Sequence, residues 1–417
     1  MKKTPEDLEL NLQKQVKNNP AFCIMPFNHS YVTTTGAANL CCIADWGDPI
    51  ENDVSGKSLL DIFRGEEYKR IRTNMLKGIK ESRCHICYGQ DRDGGGGSDR
   101  VSQNERYLRT LGNDFELDID VQFPTWGDLR PGRMCNFGCR MCWGAVSTTI
   151  DQENREHPET QEVSWDKPID VGEWLDDPIA FESVKESVKH MDVLKLAGGE
   201  PLFMPGVIKL LKWCIDSGNT HIALDITTNG SRTKGKVIRM LSKFDSVFIQ
   251  FSMCGYDYIR YGADWNELDV AYNQYAQQDN ITLNLLATAQ IYNIFDLVNI
   301  IKYWHENGAQ HNLIFNVVNF PEDQRFDLLP KDMRLNIANE LEEAMHKYVP
   351  THLHNVSRLD HIISKLRLDF DSEDIAKNRI RLAKRTQMYD QIRNQDIGLV
   401  HPELERLCSE WLPTTTT

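Results

Sequence analysis

From about residue 115 onward, short apolar runs alternate with segments whose apolar residues recur every three or four positions. Val193-Leu194-Lys195-Leu196-Ala197 is one such run, and His221 to Thr228, Ser246 to Ser252, Thr282 to Ala289 and Asn312 to Val318 are others. Their length and flanks mark them as strands, and Leu117 to Val121 is expected to begin the first strand region. Between them lie helices. One opens at Pro205, places Val207, Leu210, Leu211 and Cys214 on one face and stops at Gly218, which makes Cys214 a core residue. Another shows Leu297, Ile300, Ile301 and Trp304 on one face before Gly308. Strands alternating with helices imply a parallel sheet with right-handed crossovers, and about six such units fit the space.

The pattern differs on either side of this α/β stretch. From Leu329 it is helical: Pro330, Met333, Ile337, Leu341 and Met345 form one amphipathic run. Ser372-Glu373-Asp374 opens a second, whose basic residues Arg379, Arg381, Lys384 and Arg385 read as a solvated face. His352 and His354 read as surface residues, and the closing Thr414 to Thr417 as a mobile tail. Before residue 110, Phe27 to Val32 and Thr35-Gly36-Ala37 suggest a hairpin turning at Gly36. Asp91 to Asp99, with four consecutive glycines, reads as a linker, after which Ser98 or Asp99 caps a helix. Three segments are expected: 1–110, 111–328 and 329–417.

Charge and composition narrow the function classes. The 47 basic and 61 acidic side chains leave a formal charge of −14, which argues against non-specific binding to nucleic acid. No stretch of about 18 apolar residues occurs, so a cytoplasmic protein without a membrane span is expected. In such a compartment the 11 cysteines are better explained by metal clusters and core packing than by disulfides.

Two groups of cysteines carry the chemistry. Cys135, Cys139 and Cys142 stand in the spacing C-x3-C-x2-C on an expected strand-to-helix loop. Soft thiolates so placed select zinc or an iron–sulfur cluster. Three is one short of a closed site, and the next cysteine in the chain is Cys214. Upstream, Cys23, Cys41 and the pair Cys84 and Cys87 would make a complete four-thiolate site for zinc or [4Fe–4S], with Cys42 either a spare buried thiol or the ligand in place of Cys41.

The C-x3-C-x2-C loop, with apolar Met141 before its last cysteine, resembles the cluster loop of the radical S-adenosylmethionine (radical SAM) superfamily. That resemblance implies a partial (β/α)6 TIM-like barrel. It also implies a [4Fe–4S] cluster on Cys135, Cys139 and Cys142 whose open iron receives SAM. Three further segments match the family. Gly198-Gly199-Glu200-Pro201 resembles its GGEP segment, so Gly198, Gly199 and Glu200 take the contact with the amino group of SAM. Thr228-Asn229-Gly230 resembles its TNG segment near the ribose and carboxylate. Ser252 stands where relatives often have Ser-x-Asp-Gly, but the carboxylate there is replaced by Cys254, which the resemblance makes a hypothetical hydrogen-atom donor.

The Cys23–Cys41–Cys84–Cys87 pattern resembles the auxiliary-cluster modules called SPASM and twitch, and implies a second [4Fe–4S] cluster. It departs from them in preceding the barrel. The layout resembles that of phage-associated twitch-domain radical SAM proteins. The implied activity is reductive cleavage of SAM to a 5′-deoxyadenosyl radical, most often applied to a peptide or protein side chain, with electrons from a flavodoxin or ferredoxin. Two other readings remain open: radical modification of a nucleotide, sugar or other small metabolite, and a non-catalytic iron–sulfur or zinc protein. Tyr256 to Trp265, aromatic around Arg260, reads either as substrate pocket or as exposed turn.

Overall fold

The structure is a computed structural model and describes residues 8–92, 98–232, 235–255, 257–349, 356–370 and 373–413. The four glycines Gly94 to Gly97, His352, His354, Ser372 and Thr414 to Thr417 therefore lie outside the described residues. The expected strands are present, within two residues of their anticipated limits. Nine are used below: β1 His29–Val32, β2 Ala38–Asn39, β3 Trp126–Leu129, β4 Val193–Leu196, β5 Ala223–Thr228, β6 Val247–Ser252, β7 Ile281–Ala289, β8 Asn312–Val317 and β9 Val356–Ser357. The exception is the first strand of the α/β stretch, which is 126–129; Leu117 to Val121 is not a strand, and Leu117 instead packs in a core with Leu12, Phe22 and Phe27.

The chain divides into two compact units. One comprises Met1–Arg133, Val171–Ile226 and Lys243–Ser246; the other comprises Met134–Asp170, Thr227–Ser242 and Val247–Thr417. In the first, β1, β3, β4 and β5 pair in parallel in that order, and β2 closes the hairpin on β1. Gly36, at φ 85°, makes the hairpin turn, a conformation that costs a side-chain-bearing residue about 1 kcal/mol or more. The pairing of β1 with β3 brings a strand from the N-terminal stretch into the parallel sheet. In the second unit β6, β7, β8 and β9 pair in parallel. Helices follow the strands as the spacing requires, at Pro205–Asp216 after β4 and Leu297–Asn307 after β7. Cys214 is fully buried on the first of these, and Ser98 caps the helix Asp99–Leu111 by accepting from the Val101 N–H.

Among the described residues no helix is long and apolar enough to cross a membrane. One buried titratable group in the first unit has a consequence for stability. His29 is 1% exposed, sits edge-on to Trp126 and bonds through Nδ1 to the Leu40 carbonyl, so Nδ1 carries the proton. Burial lowers its pKa to about 4 from the usual 6.5. The folded chain therefore holds this imidazole neutral while the unfolded chain protonates it, and stability declines as pH falls from 6.5 towards 4. Replacing His29 with Asn should flatten that decline, by as much as about 3 kcal/mol between about pH 7 and about pH 4 in urea unfolding. An unchanged pH slope would show that another group sets it.

Candidate functional site

The three-cysteine loop belongs to the second unit and is fastened from several directions. Thr148 and Thr149, opening the helix Thr148–Glu156, both donate to the Cys135 carbonyl, and the Cys135 N–H reaches Thr148 Oγ1 at 3.1 Å. Gly138-Cys139 pairs antiparallel with Arg260-Tyr261, and the Arg140 N–H donates to the Ile259 carbonyl at 2.8 Å. The Cys142 N–H closes a turn onto the Cys139 carbonyl. These bonds satisfy the loop backbone and leave the thiols as its variable groups.

The thiols sense one another. Cys142 donates a hydrogen bond to Cys139, which, with the Arg260 and Arg393 guanidiniums, lowers the Cys139 pKa. Cys142 is pushed up by the same hydrogen bond, by burial and by Cys139, Cys135 and Cys254 nearby. A thiolate at Cys139 is what a metal needs, since ligating sulfur must lose its proton.

Four arginines surround the loop, each no more than 6% exposed: Arg140, Arg260, Arg385 and Arg393. Two have carboxylate partners, Arg140 with Asp390 and Arg393 with Glu153. The other two have no such ion pair among the described residues. Arg260 donates to the carbonyls of Ser252 and Asn229, at 2.5 and 2.8 Å, and Arg385 to those of Arg140 and Cys142, at 3.1 and 2.9 Å. Arg140 Nη1, Arg385 Nε and Arg393 Nη1 are buried without hydrogen-bond partners among the described residues. Asp323 is the carboxylate whose charge most favours the buried Arg385; four buried arginines still outnumber the carboxylates beside them, and a cluster held by three thiolates is anionic. The donor set and its surplus of positive charge therefore fit an iron–sulfur cluster at this loop.

The strand tips of this unit reach the same place. Asn229, just after β5, donates from Nδ2 to Asn136 Oδ1 at 3.0 Å and lies 3.8 Å from Cys135 Sγ. Thr228 Oγ1 accepts from the Gly230 N–H, and Gly230 has φ 81° with the Phe251 ring 2.6 Å from where a Cβ would stand. Ser252 ends β6 and is held through its carbonyl by Arg260, while Cys254 is 1% exposed and its carbonyl accepts from Asn293.

In the first unit, Gly198 has φ 117°, and a Cβ there would lie 2.5 Å from the Gly132 carbonyl oxygen, which also accepts from the Gly199 N–H at 3.2 Å. Only glycine fits. Glu200 is fully buried and caps the next turn through the Leu202 N–H.

The second cysteine group lies wholly in the first unit. Cys23 packs in a core with Met25, Phe63, Tyr68 and Met75, against which Cys41 and Cys84 also lie. Cys23 feels Cys87, Cys41 feels Cys42 and then Cys23 and Cys84, and Cys84 feels Cys23 and Cys87, so the four thiols are linked as neighbours through Cys23 and Cys84. Burial raises the Cys23 pKa to about 12 and keeps the apo group protonated. Cys42 acts on Cys41 and also feels Asp128, Arg130 and Lys195. None of the described His, Cys, Asp and Glu side chains forms a group of three spaced for a single metal ion; a cubane holds its thiolates farther apart than one ion does.

Two expectations are corrected here. The basic run of the helix Glu373–Arg393 is not a solvated face. Arg385 is buried on the cysteine loop, Arg379 donates to the Leu328 carbonyl, and Arg381 to those of Val163 and Ser164. Of the four, Lys384, paired with Glu162, is the surface-like one. The signal for this was present: Asn378, Leu382, Arg385, Thr386, Tyr389 and Arg393 recur at helical spacing, and all six are buried. Arg260 likewise belongs neither to an exposed turn nor to a substrate wall; it braces the β5 and β6 tips. Tyr256 lies outside the described residues.

Residues 23–88 match the family described as SPASM, an iron–sulfur cluster-binding domain. The match begins on Cys23 and ends one residue past Cys87, so it encloses the four-cysteine group. No curated protein matches the chain. Among solved structures, a histidine-tagged anSMEcpe with bound AdoMet is 16% identical, covering 57% of this chain and 64% of its own, with a TM-score of 0.39. Streptococcus suis SuiB bound to S-adenosylmethionine is 14% identical over 75% of this chain and 66% of its own, TM-score 0.39. The same protein bound to its precursor peptide SuiA is 14% identical over 72% and 66%, also at 0.39. This chain spans slightly less than two thirds of the first of these.

Arg385→Met should leave the fold intact by circular dichroism but lower the reduction midpoint of the reconstituted cluster on Cys135, Cys139 and Cys142, on the order of tens of millivolts in an EPR-monitored titration. A midpoint equal to wild type would remove the charge-compensating role. Gly198→Ala should cost about 2 kcal/mol or more in equilibrium unfolding, because both the φ and the Gly132 contact oppose a side chain.

Proposed function

Because residues 23–88 match the SPASM family of iron–sulfur cluster-binding domains, we propose that the whole chain is a radical SAM enzyme acting on a peptide or protein side chain. The observation that carries this reading is the fastened loop, which itself holds three thiols and no fourth, set among buried arginines and touched by Asn229 of the Thr228-Asn229-Gly230 turn. A closed structural metal site would use four ligands; a site with one position open admits a small molecule. When bound, a [4Fe–4S] cluster with SAM at its open iron supplies a 5′-deoxyadenosyl radical, which abstracts a hydrogen atom from an unactivated C–H bond.

The protein's part is binding, orientation and electrostatics. Cys135, Cys139 and Cys142 hold the cluster. Arg260 and Arg385 offset its negative charge; Arg385 keeps the loop from drifting by spanning its Arg140 and Cys142 carbonyls, while Arg260 ties together the Asn229 and Ser252 tips. Gly198, Gly199 and Glu200 would receive the amino group of SAM, and Thr228, Asn229, Gly230 and Ser252 its ribose and carboxylate. Cys23, Cys41, Cys84 and Cys87 hold the auxiliary cluster, which would take an electron from the substrate radical or orient the substrate. Cys254, whose thiol lies close enough to interact with Cys139 and Cys142, would return a hydrogen atom. Relatives with such modules mostly modify peptides or proteins, which supports a peptide as substrate, with a flavodoxin or ferredoxin as electron donor in the cytoplasm.

Anaerobic reconstitution should load about eight irons per chain, as two cubanes require, and yield 5′-deoxyadenosine from SAM and a reductant even without substrate. Cys139→Ala should lose about half the iron and all the deoxyadenosine. Intact iron loading without any deoxyadenosine would overturn the enzyme reading. Cys254→Ala with full turnover and unchanged product stereochemistry would dispose of its role as hydrogen donor.

A further inference from the structure

The strand registers of the first unit align one residue from each of four strands: Tyr31 with Asp128, Asp128 with Lys195, and Lys195 with Asp225. Residues paired across neighbouring strands project to the same face. The alternate positions, Val32, Leu129, Leu194, Leu196, Leu224 and Ile226, are fully buried and apolar, so the opposite face is core. This face instead carries a phenol, two carboxylates and an ammonium at one level. Arg130, two positions beyond Asp128, adds a guanidinium 5.0 Å above the Tyr31 ring.

These charges are near enough to balance and too far apart to satisfy one another. Arg130 Nε stands 3.7 Å from Asp128 Oδ1, and Lys195 Nζ 3.9 Å from Asp128 Oδ2, both beyond hydrogen-bond length. Tyr31 and Asp128 are 0% and 2% exposed, yet Tyr31 Oη, Asp128 Oδ1 and Arg130 Nε have no hydrogen-bond partner among the described residues, and neither does His29 Nε2 on the same face one level down. Because His29 Nδ1–H is committed to Leu40, that free nitrogen is an acceptor. Each buried unsatisfied group costs about 1–3 kcal/mol, and native interiors rarely gather several in one place. The row also lies one to three residues short of the C-terminal strand ends, where parallel sheets take their ligands.

We propose that this row is a recognition site for an amino-acid unit of the substrate. A carboxylate or carbonyl oxygen of the ligand faces Arg130 and Lys195, an ammonium or amide N–H faces Asp128, and the Tyr31 hydroxyl serves either. A bare phosphate would meet the Asp128 and Asp225 carboxylates, and a simple cation would meet Arg130 and Lys195; a group carrying both a donor and an oxygen fits. Cys42 feels the charges of Asp128, Arg130 and Lys195 and so lies within electrostatic reach of the same place. The site deepens the reading of the chain as a peptide-modifying enzyme and rests on it for the identity of the ligand as substrate.

An internal peptide residue and a free amino acid share this chemistry, so the test uses both: N-acetylglycine amide for the first and glycine for the second. Thermal unfolding of the reconstituted protein is followed with SAM present throughout, at about 10 mM probe against about 10 mM acetate. A probe that binds with a millimolar Kd should raise the midpoint by about 1–2 °C. The shift should vanish in Asp128→Asn and in Tyr31→Phe, the latter removing only a hydroxyl. Whichever probe shifts the wild type identifies the source, and a shift from both admits both. No shift from either, or the same shift in both variants, overturns the site. The deoxyadenosine assay decides the enzyme reading separately: probe binding without deoxyadenosine would keep the site and sink the activity.

Discussion

A guanidinium taken out of water needs an anion, and in the second unit two of them make no ion pair with a carboxylate among the described residues. Arg260 and Arg385 bond to backbone carbonyls of the cysteine loop and of the β5 and β6 tips. The arrangement makes the folding of that unit and the loading of its loop interdependent. Without a negative guest, the positive field favours ionisation of Cys139; with one, the field is neutralised and the loop is pinned through the same bonds. The helix Glu373–Arg393, far along the chain from the cysteines, is in this sense part of the proposed cluster site.

What could be read in the sequence was local. The C-x3-C-x2-C spacing, the glycine-bearing turns after β4 and β5, and the period-two and period-3.6 runs each depend on residues a few positions apart, and the structure places them as strands, turns and helices close to their expected limits. What could not be read depended on distant pairing. Nothing within the helix Glu373–Arg393 tells an arginine that will solvate itself from one that will cap a carbonyl 245 residues earlier, apart from the shared face with Leu382 and Tyr389. The misplacement of the first strand at Leu117 to Val121 has a related cause: alternation predicts an extended segment, but a strand also needs partners, and Trp126 to Leu129 is where β1 and β4 supply them.

The Cys41-Cys42 pair shows the same limit at the scale of one residue. Spacing alone allowed either thiol to join Cys23, Cys84 and Cys87. Their surroundings differ: Cys41 feels Cys23 and Cys84 besides Cys42, whereas Cys42 feels Asp128, Arg130 and Lys195. Adjacent identical residues thus belong to different chemical environments.

The parallel pairing of β1 with β3 bears on how such a protein can be altered. An iron–sulfur domain that donates a strand to its neighbour's sheet is no detachable cassette. Cutting the chain after residue 110 would strip one side of β3, leaving a row of unsatisfied N–H and C=O groups on a flat parallel strand, the kind of edge along which chains stack into aggregates. Transplanting the segment 23–88 onto another scaffold would carry the hairpin without the strand that seats it. The N-terminal stretch is inherited with the sheet or not at all.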